Sequence, residues 1–189
     1  MLKILNVPNK ALNLTAKPVR KIDSRIRRLL NDMEKVLVIQ DNPPGVGLAA
    51  PQVGVSLRIF IIKPTPKAKT EVFINPKVIG EGIIEPKTGG RKPLRGPVAA
   101  NKPPKNSKLE GCLSIPRIWA PIRRQKTVKL SYLDQKGGEK IATFAGFKAI
   151  IIQHEIDHLE GILFTQRALE QSSKIFEEDR EGKLKKVDY

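Results

Sequence analysis

The chain has two histidines and one cysteine, and both histidines fall in one pentapeptide, His154-Glu155-Ile156-Asp157-His158. Positions i and i+4 share a helix face, so both imidazoles can reach a single metal ion, with Glu155 facing a water on it. The surrounding segment, residues 147–163, is largely apolar and predicts a buried helix. Polar side chains left unpaired there would cost a few kcal/mol each, so such a helix needs partners for them. The sole cysteine, Cys112, lies far upstream in Glu110-Gly111-Cys112-Leu113-Ser114. A thiolate beside two imidazoles makes a three-ligand site with one open position, the arrangement of a catalytic rather than a structural metal.

The third ligand decides the reaction class, and the residues leave more than one choice. A metzincin-like protease would continue His-x-x-Gly-x-x-His; Gly161 is in place, but Phe164 stands where the third histidine is required, which excludes that class. A downstream glutamate is a second option, with Glu177 and Glu178 as candidates. Cys112 is the third, and the one with its own organised motif; a lone cysteine can equally be a small buried hydrophobe.

At 189 residues with 40% hydrophobic content, the chain is expected to form one domain, residues 1–189, with a substantial core. Its longest apolar runs, 57–62 and 149–152, are too short to span a bilayer, and no signal-peptide pattern opens the sequence. One cysteine forms no internal disulfide, which fits a reducing, cytoplasmic setting. The formal net charge of +16 favours polyanions. Contact with RNA, the ribosome's in particular, is the expectation from charge, and a merely solvated basic surface is its equal, since no RNA-binding motif is visible. Neither a membrane nor DNA is expected as a partner.

Residues 24–39 read as an amphipathic helix with Ile26, Leu29, Leu30, Met33, Val36 and Leu37 on one stripe, capped by Asp23 or Ser24. It stops before Asp41-Asn42-Pro43-Pro44-Gly45. Residues 57–63 and 71–79 read as strands. Residues 127–134 and 139–145 alternate around Gln135-Lys136-Gly137-Gly138, a hairpin signal. Residues 166–186 read as a polar, partly helical segment interrupted at Gly182. Residues 86–108 carry seven basic residues, five prolines, three glycines and no acid. Such a stretch is expected as a mobile loop.

Three motifs together, Gly45-Val46-Gly47-Leu48-Ala49-Ala50-Pro51-Gln52, Glu110-Gly111-Cys112-Leu113-Ser114 and Gln153-His154-Glu155-Ile156-Asp157-His158-Leu159-Glu160-Gly161, resemble in order the signatures of the peptide deformylase family. The resemblance implies an α+β fold. Antiparallel sheets pack around a central helix bearing the ligands, with an N-terminal amphipathic helix and a C-terminal helix. It implies Cys112, His154 and His158 as metal ligands and Glu155 as general acid/base. Gln52 and the Leu113 N–H would hold the oxyanion. Val46, Gly47 and Glu110 would line the substrate groove. Phe147, Ile150 and Ile151 are candidates for an apolar pocket or for plain core. Family members remove the formyl group from N-formylmethionyl nascent peptides, natively with iron(II), and accept zinc, nickel or cobalt.

A peptide could add as a strand along the 45–48 backbone. Arg123 and Arg124 could contact the peptide or its carboxylate, but read first as a solvated pair. The long basic link 86–108 departs from the family pattern, and a flap engaging ribosomal RNA is one hypothesis for it. Two rival functions remain: a metallopeptidase using Glu177 or Glu178, and a catalytically silent ribosome- or RNA-binding relative. The intact set Gln52, Cys112, His154, Glu155 and His158 argues against the silent relative.

Overall fold

Asp23 sets the start of the first helix. Its side chain accepts the N–H groups of Arg25 and Ile26, leaving helix α1 to run Ser24–Val38 with Ile26, Leu30, Met33, Val36 and Leu37 buried. The computed structural model describes residues 2–81 and 108–187. The basic loop expected at 86–107 lies outside the described residues. Lys108, assigned to that loop on sequence grounds, instead opens a strand.

Among the described residues, nine strands form two antiparallel sheets. The larger has the order β1 (Gly47–Ala49), β2 (Ile59–Ile62), β3 (Glu71–Glu81), β6 (Thr127–Leu133) and β7 (Glu139–Ala145). The smaller has the order β4 (Lys108–Cys112), β5 (Ile115–Ile122), β8 (Ile175–Glu178) and β9 (Leu184–Val187). Helix α2 (Gly146–Leu159) and the short α3 (Phe164–Glu170) complete the described α-helices.

Strand β2 explains how α2 comes to be central. Its sequence Ile59-Phe60-Ile61-Ile62 is apolar throughout because both faces of the sheet are covered. Ile59 and Ile61 point into the cluster with Leu30, Met33 and Leu37 of α1. Phe60 and Ile62 point the other way, with Phe73, Val128 and Leu130, onto Ala149, Ile152 and Leu159 of α2. A third cluster packs the smaller sheet on α3 through Ile115, Ala120, Ile122, Phe164 and Ala168, and Cys112 belongs to it.

The expected hairpin is present. Asp134 accepts the N–H groups of Lys136 and Gly138, and Gly137 takes the left-handed conformation that the turn requires (φ +86°). The C-terminal segment differs from expectation over most of its length. Its helix is limited to α3, and the rest is the β8–β9 hairpin. Asp179 closes that turn in the manner of Asp134, accepting from Glu181 and Lys183, with Gly182 at φ +78°. Phe176 then pairs with Trp119 of β5, so tertiary pairing overrides a polar sequence with no clear alternation.

Candidate metal centre and its cleft

Helix α2 is largely apolar and mostly buried, and Glu155, Asp157 and His158 are buried with it. His158 meets Cys112 of β4, and Asp157 meets Arg124, just past β5, and Arg167 of α3. The β4–β5 connection turns tightly after Cys112, with a register shift between Gly111 and Cys112 that aims the sulfur at α2. Ligand atoms of Cys112, His154 and His158 lie within 4.8 Å of one another. Cys112 Sγ stands 3.2 Å from His158 Nε2. The sulfur also receives the Ser114 N–H at 3.4 Å and Gln52 Nε2 at 3.6 Å.

This group fits a metal ion by its chemistry. Burial holds His158 well below the usual histidine range, so it is neutral and offers a lone pair. Burial also opposes a charge on His154, but hydrogen bonds to Cys112 and Glu110 prevail and hold it well above the usual range. A position that draws a proton between a sulfur and a carboxylate draws a cation in the same way. His154 Nδ1 faces Glu110 Oε2 at 3.1 Å, which orients the ring and turns its other nitrogen towards the group.

Glu155 is the most telling residue. It is 3% exposed, and its Oε2 has no hydrogen-bond partner. Burial pushes its carboxyl up to about 7, with His154 and Arg124 pulling the other way. A carboxyl in that range can both accept and deliver a proton at neutral pH. Gly47 of β1 passes so close that a β-carbon there would collide with Glu155 Oε1 and lie 2.8 Å from Ile151. Only glycine permits this approach.

Gln52 is fixed by an internal argument. Its Oε1 accepts the Ala49 N–H at 2.8 Å, so its amide nitrogen must face the sulfur and Ser114 Oγ. The 3-10 turn Ala50–Val53, directly after β1, buries it there.

Above these groups opens a cleft of about 190 Å³. Val46, Gly47, Gln52, Glu110, Cys112, Leu113, Phe147, Ile150, Ile151, His154 and Glu155 all line it. His158 does not; it lies beneath, 1% exposed. Phe147 is not plain core, being 44% exposed at the cleft with Lys108 Nζ 5.3 Å from its ring centre. Among the described residues, β1 pairs only with β2 and β4 only with β5, so both strands turn an open edge.

One assignment needs correction. Arg124 is not a solvated partner of Arg123. Its side chain is 7% exposed and forks onto both oxygens of Glu110 at 2.9 and 3.0 Å, with Nη1 on Asp157. Glu110 lines the cleft, but its oxygens are taken by Arg124 and His154. Glu177 and Glu178 sit in β8, bonded to Arg117 and Trp119, and are not part of the Cys112–His154–His158 group.

Sequence reasoning missed the chain of charges running from His154 through Glu110, Arg124 and Asp157 to Arg167. Two acids in buried motifs were the available signal, since buried carboxylates require a cation. Arg124→Leu removes that cation and strands two buried acids. It should destabilise the fold by about 3–5 kcal/mol in urea unfolding, and a loss under 1 kcal/mol would contradict this role.

An α+β fold with a Cys-His-His metal-binding group at the foot of a cleft defines the class. The family model described as polypeptide deformylase matches residues 1–174. A peptide deformylase of Symbiobacterium thermophilum is 36% identical over 99% of this chain and 76% of its own length. One from Neisseria meningitidis serogroup C is 35% identical over 88% of this chain and 86% of its own. The Legionella pneumophila peptide deformylase structure superposes with a TM-score of 0.71 at 34% identity, covering 88% of this chain and 85% of that one. The Synechococcus elongatus enzyme, solved with actinonin, gives 0.69 at 32%, covering 88% and 78%. The chain belongs to the polypeptide deformylase family, and is a hydrolase.

Proposed function

We propose that this protein, acting as one catalytic domain, removes the formyl group from N-formylmethionyl nascent peptides and releases formate. One observation carries the reading: a buried carboxyl with an unpartnered oxygen, Glu155, stands beside a Cys-His-His group at the floor of an open cleft. Cys112, His154 and His158 would hold one divalent cation, which supplies Lewis acidity and lowers the pKa of water. Soft and borderline donors of this kind suit iron(II), zinc, cobalt or nickel, and iron(II) is the one proposed.

The chain's own residues do the rest. Glu155 accepts a proton from the water that adds to the formyl carbon. It returns that proton to the amine nitrogen as the C–N bond breaks, leaving formate and a free N-terminus. Gln52, its orientation set by Ala49, donates its amide N–H to the developing oxyanion, with the Leu113 N–H beside it. Glu110 orients His154, and Arg124 holds Glu110. The peptide lies between the open edges of β1 and β4, reading main chain at Val46 and Gly47. Ile150, Ile151 and Phe147 receive the methionine side chain.

The basic surface suits encounter with the RNA-rich ribosome. No helix among the described residues is long and apolar enough to cross a membrane.

The test is formate release from formyl-Met-Ala-Ser by anaerobically prepared, iron(II)-loaded protein, because a thiolate beside iron(II) oxidises readily. Turnover is expected. Its absence in a sample shown to hold metal overturns the reading and favours a silent, RNA-binding relative.

A further inference from the structure

Trp119 is the chain's one tryptophan, and it lines the cleft from β5. Its ring lies over Gly111 of β4, where a β-carbon would come within 2.8 Å of Cε3 and Cζ3. The indole Nε1 donates to Glu178 Oε2 at 2.8 Å. A longer 3.5 Å contact reaches the same oxygen from Asn42 Nδ2, and the next residues, Pro43 and Pro44, also line the cleft. One carboxylate of the C-terminal hairpin thus touches two segments that shape the cleft. The hairpin is itself anchored to β5: Arg117 donates from Nε to the Glu178 carbonyl at 2.9 Å and from Nη2 to Glu177 at 2.7 Å. The family match ends at residue 174, so this hairpin lies wholly after it.

We propose that Glu178 is a positioning residue for the substrate cleft, holding the Trp119 indole as a fixed wall for the peptide beyond its formylmethionine. The proposal rests on the deformylase reading above. A carboxylate–indole bond is charge-assisted and directional. A tethered indole presents a large apolar face that is already ordered when the peptide arrives. Released, the same ring must be ordered by the substrate, which weakens binding. The hydrogen bonds of the Trp119 and Glu178 side chains go to each other and to Asn42, away from Glu155 and the Cys-His-His group. The tether therefore acts equally on ground and transition states, so its loss raises KM and spares kcat.

The experiment compares Glu178→Ala, Glu178→Gln, Trp119→Phe and the double variant Glu178→Ala/Trp119→Phe in metal-loaded protein with formyl-Met-Ala-Ser. Glu178→Ala should raise KM about fivefold with kcat unchanged, and Glu178→Gln, which keeps an acceptor oxygen, should restore most of the loss. Trp119→Phe lacks the N–H, so the double variant should be no worse than Trp119→Phe alone. Fluorescence needs no turnover: with one tryptophan, Glu178→Ala should shift emission to the red as the ring meets water. An additive double variant, kcat and KM altered together, or unshifted emission would each overturn the proposal. Wild-type protein that releases no formate defeats the deformylase reading alone, and the emission arm still decides the tether.

Discussion

Glu155→Gln should leave the fold and the bound metal unchanged while lowering kcat about a thousandfold, within the range general acid–base groups supply. Glutamine has the shape of glutamate, so the close approach of Gly47 to this side chain survives. The lost property is proton transfer. Oε2 is buried without a partner, so in the native protein no neighbour competes for the proton it takes. An amide neither accepts that proton nor delivers it to the leaving amine. The measurement pairs steady-state formate release with metal content on the same sample. A loss below tenfold at full metal content would remove Glu155 from the reaction.

Cys112→Ala should empty the site. The sulfur stands 3.2 Å from His158 Nε2 and is 2% exposed, so no water readily takes its place. Two imidazoles alone make an incomplete site. Metal affinity should fall on the order of a hundredfold or more, at least matching the loss seen when supporting partners of ligands are removed. Activity should fall with it. Metal analysis after desalting decides the matter: near-stoichiometric metal in Cys112→Ala would revive a ligand set completed by a glutamate such as Glu177, against the geometry of β8. Removing the sulfur also strips an acceptor from the Ser114 N–H and Gln52 Nε2, so a modest loss of thermal stability accompanies the change.

What was legible in the sequence was legible for local reasons. A 3.6-residue stripe after an acid cap predicted α1 to within a residue, because cap and stripe are both short-range signals. Alternating segments on either side of Gln135-Lys136-Gly137-Gly138 marked the β6–β7 turn. The spacing of His154 and His158 placed two ligands on one helix face wherever that helix was to lie. The β8–β9 hairpin was not legible, although its turn repeats the Asp134 device, because its strands are short and polar and gain their pairing only against β5. Arg124 looked like a surface cation because charge favours solvent. Its burial follows from Glu110 and Asp157 converging on it from β4 and α2, which no local pattern records.

The sequence by itself determined the ligand types, their order and the helix that carries two of them, since side-chain chemistry and helical periodicity travel with the chain. Only the tertiary structure decided that β4 returns its sulfur to that helix, that Glu155 is left with an unanswered oxygen, and that the C-terminal hairpin reaches the cleft through Glu178. Those outcomes depend on which surfaces exclude water together, and burial is a property of the assembled molecule rather than of any segment in it.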